Sequence, residues 1–492
     1  MRKLLAVVFA IALAFFVATG AIIYKQDIPF SSVKAGNIKQ IWVDFLKSYG
    51  EKSDNKPKTP EIQENIPVEE PEQNLSYDER IAKGDYYFQR GFMTFAANEY
   101  VKAANLAPAK AEPYFKLLKT NYELGDYSKA QKNAETILTK DPNNYETKFN
   151  LALIYIKQND FPSASGLLDQ LSNSGTPDAN VSYYRGLLQI IASDYEGAKK
   201  SLRQAKSESA DDGLDKKIDI FLNSYTEYEF AQAADELYLS ELLARSFNKA
   251  GEYEMAIEKL RKILKTRSDL RDSWILFGFA YLNLEKYSFA LSAFERAYEL
   301  DSEWPTTQYF LGLTHAELGK ADDAIIFLNY ALSNNFEPAI VVHRKLADLY
   351  LEKQDYAKAV ETYEKILELN KEDINSFVRP IWVYLDFMNQ PDKALKIAQA
   401  ALIAFPENAM AYNLIGWSQF GTQDYTEAEK NLKKSIELDP KLAAAYYNIG
   451  RLYKATNDNS EALSAFQKAY ELDQNGSIGN LAAKEYNLLM TE

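Results

Sequence analysis

Alanine returns at one fixed place along this chain. Cutting the sequence at Tyr77, Ala111, Tyr145, Ala179, Leu237, Arg271, Pro305, Ile340, Asn375, Ala409 and Ala443 gives eleven segments, most of them 34 residues long. The twentieth residue of each is Ala96, Ala130, Ala164, Ala198, Ala256, Ala290, Ala324, Ala359, Ala394, Ala428 or Ala462. Composition alone would put alanine at a given place roughly one time in ten. A period of this length marks stacked supersecondary units, each burying its apolar face against its neighbours. The eighth residue is small as well, being Gly84, Ala152, Gly186, Ala244, Gly278, Gly312, Ala347, Gly416 or Gly450. Small residues at both places predict two helices that cross closely within each unit. Leu118 and Trp382 depart from the rule, so their helix pairs are expected to be splayed or re-packed.

The turn between the two helices is written as Gly125-Asp126-Tyr127, Gln354-Asp355-Tyr356 and Gln423-Asp424-Tyr425. Pro108, Pro142, Pro406 and Pro440 end second helices, because proline lacks the donor that would continue them. Two units spell the whole pattern. Trp274, Phe277, Gly278 and Tyr281 precede Ala290, Phe294 and Ala297; Tyr446, Ile449, Gly450 and Tyr453 precede Ala462, Phe466 and Ala469. These residues resemble the tetratricopeptide repeat, W-x2-L-G-x2-Y followed by A-x3-F. The resemblance implies an all-α fold: an α-solenoid of about eleven helix pairs wound as a right-handed superhelix. It also implies a concave groove, lined by first helices, that holds peptides or helices of partner proteins.

The register is interrupted once. The fourth repeat ends near Asp212 and the fifth begins at Leu237. Between them Leu214, Ile218, Phe221, Leu222 and Tyr225 share one helical face. A single added helix exchanges the two layers of the stack for every later repeat, so it must lie across the stack or break it. The organisation expected is four repeats over 77–212, a junction helix over 213–236, seven repeats over 237–476 and a capping helix over 477–492.

Ahead of the repeats, Arg2 and Lys3 precede an apolar run from Leu4 to Ile23 interrupted only by Thr19 and Gly20. About 20 helical residues at ~1.5 Å each match a bilayer's hydrocarbon thickness of roughly 30 Å. Residues 1–23 therefore read as a transmembrane signal-anchor, or as a signal peptide cleaved near Ala18-Thr19-Gly20. The positive-inside rule favours a single pass of the cytoplasmic membrane, with the N-terminus inside and the repeats outside the cytoplasm. Cleavage would instead release the repeats to the periplasm. Ile38, Ile41, Trp42, Phe45, Leu46 and Tyr49 make residues 24–50 an amphipathic juxtamembrane segment, suited to the bilayer interface or to a protein surface. Residues 51–76 carry Pro57, Pro60, Pro67 and Pro71 among Glu61, Glu64, Glu69, Glu70 and Glu72. With so few apolar side chains this is expected to be a disordered acidic linker.

A net charge of −14 argues against a nucleic-acid partner. The absence of cysteine removes disulfides, thiolate metal sites and cysteine nucleophiles. His315 and His343 are the only histidines, and no catalytic constellation, metal site or cofactor motif is legible, so no enzyme is expected. The chemistry-bearing candidates are instead the groove positions of the first helices. They are Phe115, Phe149, Leu153, Tyr183 and Leu187, then Ile275, Phe279, Tyr309 and Leu313, then a polar set of Arg344, Arg379, Trp417 and Arg451. The apolar stripe fits an amphipathic helix or apolar peptide, or else forms half-buried core; the polar end fits an acidic segment, or is simply solvated. The function expected is a membrane-tethered interaction scaffold of the cell envelope. A cytoplasm-facing receptor or co-chaperone-type adaptor for partner peptides is the alternative.

Overall fold

The computed structural model describes residues 75–231, 235–474 and 476–491. The expected anchor, juxtamembrane segment and linker lie outside these, apart from Leu75 and Ser76. Among the described residues no helix is long and apolar enough to cross a membrane. Those residues form 24 α-helices, and the chain divides into two compact units at Ser302 and Glu303.

In the first unit the helices run α1 (Tyr77–Gln89), α2 (Met93–Leu106), α3 (Glu112–Glu123), α4 (Tyr127–Lys140), α5 (Tyr145–Lys157), α6 (Phe161–Ser172), α7 (Ala179–Ile191) and α8 (Tyr195–Glu208). They continue with α9 (Asp212–Phe230), α10 (Glu236–Ala250), α11 (Tyr253–Thr266), α12 (Arg271–Asn283) and α13 (Tyr287–Leu300). The second unit begins with α14 (Pro305–Glu317), α15 (Ala321–Ser333), α16 (Ala339–Glu352) and α17 (Tyr356–Leu369). A 3-10 turn (Ile374–Phe377), the short α18 (Val378–Trp382) and a π-helical turn (Val383–Phe387) come next. The unit closes with α19 (Pro391–Ala404), α20 (Ala409–Gly421), α21 (Tyr425–Leu438), α22 (Ala443–Ala455), α23 (Asn459–Leu472) and α24 (Ser477–Thr491).

Each pair is held by the same local devices. The fifteenth residue is left-handed in all eleven repeats, with φ from 50° to 81°, although only Gly91, Gly125, Gly251 and Gly319 are glycine. An aspartate after it often caps the second helix: Asp126, Asp160, Asp194, Asp355 and Asp424 each accept from the backbone N–H three residues on. All eleven alanines at the twentieth place are 0% exposed.

The close crossing is more specific than the alanines imply. A Cβ added to Gly84, Gly278, Gly312, Gly416 or Gly450 would lie 2.4–2.7 Å from the side chain of Tyr100, Phe294, Leu328, Leu432 or Phe466, the twenty-fourth residue of the same repeat. Backbone of the twentieth residue stands behind it, with the carbonyls of Ala198, Ala324 and Ala428 at 3.1–3.3 Å from the corresponding positions. Where the eighth residue is large the twenty-fourth is alanine, as in Leu118 with Ala134 and Trp382 with Ala398. The two departures are therefore re-packed by exchanging volume across the crossing. In the second repeat this leaves α3 regular; in the ninth, the first helix breaks into 3-10, α and π turns.

The interrupting helix is α9, and it packs within the first unit. Phe221 meets Tyr183 of α7 and Phe247 of α10 edge-on, at 6.2 and 5.1 Å between ring centroids. Ser224 and Ser246 share a hydrogen bond of 2.7 Å, while Lys206 of α8 pairs with Asp215 and Asp219 at 3.1 and 3.0 Å. The layer exchange shows in α11. It is the second helix of its pair by sequence, yet it packs on α5 and α7, which are first helices.

Candidate partner-binding face

In the first unit the expected apolar groove is open only at its start. Phe115, Phe149 and Leu153 are half-buried, with the Lys119 ammonium 5.0 Å from the Phe115 ring and Phe149 tilted against Tyr184. Farther along, Tyr183 and Leu187 are 1% and 0% exposed; Tyr183 packs on Phe221 of α9, and α11 lies beside α7. Ile275 and Phe279 are buried too, Phe279 against the ring of Tyr253 at 6.3 Å. These four side chains are core, not an exposed stripe.

The cover over α7 is charged. Lys157 of α5 donates to both oxygens of Glu254 at 2.9 and 3.0 Å. Lys217 of α9 and the Tyr183 hydroxyl donate to Glu252 at 3.2 and 3.5 Å. Burial pushes the Glu252 carboxyl up, with Lys217 and Lys157 pulling the other way. Lys259 is buried and donates to the Tyr195 hydroxyl at 2.6 Å and the Ile190 carbonyl at 3.5 Å, and Lys262 donates to the Ile191 carbonyl at 2.8 Å. Those carbonyls end α7, where a helix favours cations. Burial raises the Tyr195 hydroxyl, but hydrogen bonds from Lys259 and Ser240 outweigh it and leave it below its ordinary value. Nearby on α10, burial holds the Glu241 carboxyl up at about 7, despite a 3.1 Å hydrogen bond from Ser273.

In the second unit Tyr309 and Leu313 are also buried, Tyr309 stacking on Phe336 at 4.4 Å. The polar positions behave differently. Arg344 and Arg379 are exposed, and among the described residues neither is ion-paired; Arg379 rests over the Trp382 ring at 5.2 Å. Trp417 is half-buried. Asn413 is buried and accepts from Asn448 at 2.9 Å, so it joins two repeats and is not free for a ligand. Arg451 stands 3.9 Å from Asp386 and lies over Phe420 and Tyr447 at 5.5 and 5.8 Å. Burial raises the Asp386 carboxyl, opposed by Arg451 and by a hydrogen bond from Trp382.

Reading the sequence by position misses Phe387. It sits in the π-helical turn, remains 41% exposed, stacks on Tyr356 at 4.7 Å and meets Trp382 edge-on at 4.9 Å. Its signal was Trp382 at a place reserved for small residues, since that bulk accompanies the irregular helix. Among the described residues there is no group of three or more His, Asp or Glu able to hold a metal ion.

Residues 121–188 and 443–475 match family models described as tetratricopeptide repeat. The chain carries tetratricopeptide repeats. Residues 240–456 match a further model, described as Intraflagellar transport protein 56. Among curated proteins the tetratricopeptide chain is similar to Superkiller protein 3 of Schizosaccharomyces pombe, 23% identical over 310 residues, covering 59% of this chain and 21% of the relative. It is also similar to human Protein O-mannosyl-transferase TMTC1, 23% identical over 201 residues, covering 40% of this chain and 23% of the relative. The match thus spans about a fifth of each relative's length. Solved structures with a likeness include yeast Tom70, at 17% identity and TM-score 0.32 over 84% of this chain and 96% of that one. Another is the C-terminal part of a TPR repeat-containing protein from Cytophaga hutchinsonii, at 18% identity and TM-score 0.40 over 49% and 98%.

Proposed function

We propose that this chain is a membrane-tethered scaffold that holds other proteins of a cell-envelope assembly outside the cytoplasm, with no chemistry of its own. The observation that carries the binding role is the cluster of exposed Arg379, Trp382 and exposed Phe387 in the second unit, with exposed Arg344 and half-buried Trp417 on other first helices of that unit. Guanidinium groups and aromatic rings are the residue types enriched where proteins bind proteins. An acidic segment with an apolar or aromatic side chain is the partner chemistry that face fits. The tether rests on the apolar run Leu4–Ile23 and on Arg2 and Lys3 before it.

A photo-crosslinking residue placed at Arg344 or Phe387 in intact cells, read by mass spectrometry, is expected to capture a defined partner. The same residue at buried Leu328 is expected to capture none. Equal capture at both positions would sink the assignment of this face. A reporter fused after Glu492 is expected to be active only outside the cytoplasm. Activity only inside would replace the envelope scaffold with a cytoplasm-facing adaptor.

A further inference from the structure

The groove of the third and fourth repeats is filled by the chain itself, and we infer that α11 is a latch seated in a site built for a helix. The sequence assigns α11 to the outer layer, for it carries the register alanine Ala256 of a second helix. Its charged side chains nevertheless reach first helices, Glu254 to Lys157 of α5 and Lys259 to the Ile190 carbonyl of α7, 97 and 69 residues apart in sequence. Beneath it Tyr183 and Leu187 are closed to solvent; these are the apolar groove positions of the fourth repeat.

The chemistry of the seat is complementary end to end. Glu252 and Glu254, at the start of α11, meet lysines of α9 and α5, while Lys259 and Lys262, farther along, meet the carbonyl end of α7. Such contacts fix direction, since a reversed helix would set its lysines against Lys157 and Lys217. They contribute less to holding the seat closed than apolar packing of equal area, because each buried charge has given up its water. An interface made this way is specific and releasable. Release would bare Tyr183 and Leu187 for an external amphipathic helix of α11's kind, with carboxylates in its first turn and lysines one and two turns later. This inference stands apart from the face of the second unit and does not depend on it.

The test titrates a fluorescent peptide of residues 251–267 into the full-length chain. The wild-type chain is expected to bind it weakly, because the seat is taken. Glu254→Lys sets two cations against each other, releases α11 and should tighten peptide binding at least tenfold over a scrambled peptide. Lys157→Glu with Glu254→Lys restores the pairing in reversed sense and should return binding to the wild-type level. Hydrogen exchange separates release from unfolding. In Glu254→Lys, residues 179–191 should exchange faster and slow again with peptide, while α1 to α4 keep their protection. Peptide binding no tighter in Glu254→Lys than in wild type would overturn the latch. Loss of protection throughout the first unit would do so as well, and would make α11 a fixed part of the core.

Discussion

The first-helix faces of the fourth repeat and of the eighth and ninth were written with the same register and have opposite fates. In the first unit the apolar residues Tyr183 and Leu187 are covered by another helix of the same chain; in the second, Arg344 and Arg379 stay in water. One insertion contributes to the difference. Adding α9 exchanges the layers, so that α11 arrives on the inner side, where an apolar stripe and two lysines await it. The lesson is that a repeat protein's groove cannot be read from positions alone once its repeat count is interrupted by half a repeat.

A charge on each face separates the two most sharply. Leu187→Glu should destabilise the first unit by on the order of 4 kcal/mol, since a carboxylate would enter a closed apolar site without a partner. Arg344→Glu should change stability by no more than about 0.5 kcal/mol. Denaturant unfolding followed by circular dichroism reads both, and equal costs would erase the contrast.

The covered region also predicts a dependence on pH. Burial lifts Glu241 to about 7 from a carboxyl value of 4.5. The folded state then holds the proton more tightly, so this contribution is fully present below the unfolded value and is lost as pH rises through about 7. Glu241→Gln, which mimics the protonated form, should stabilise by about 2–3 kcal/mol at pH 8 and by almost nothing near pH 4. A difference independent of pH between those values would refute the assignment.

Other features should not distinguish the regions. Gly278→Leu in the first unit and Gly416→Leu in the second should each cost about 1–3 kcal/mol by overpacking the crossing. Adding Phe294→Ala or Leu432→Ala should recover most of that loss, reproducing the natural arrangement of Leu118 with Ala134. If the second substitution only deepens the loss, the volume exchange is wrong. Smallest of all, Glu285→Gly and Gln423→Gly should each raise stability by about 0.5–1 kcal/mol, because both residues occupy left-handed turns at φ 58° and 64°. A lowered thermal midpoint would mean their side chains contribute more than the strain removes.

Much of this architecture was legible because a repeat writes each of its rules eleven times. The alanine register located first helices to within one residue of where they begin, as at Tyr77, Tyr145, Ala179, Arg271, Pro305, Ala409 and Ala443. The groove was less legible. Tyr183 meets Phe221 of the inserted α9 and Glu252 just before α11, and no local pattern carries that information. Asn413 is likewise taken up by a bond between repeats. The exposed arginines were readable because guanidinium groups seldom enter a core unpaired.

The exchange of bulk between the eighth and twenty-fourth residues constrains how such a chain can drift. A repeat of the glycine–phenylalanine type, like Gly278 with Phe294, is two substitutions from one of the leucine–alanine type, like Leu118 with Ala134. Either single step lands in a worse place, a clash if the small residue grows first and a void if the large one shrinks first. The clash, at about 1–3 kcal/mol, is the gentler passage beside the void a lost phenylalanine leaves, about 3–5 kcal/mol. Lineages of this protein should therefore cross between the two types by growing before shrinking, and repeats caught with two large residues would be the intermediates of that crossing.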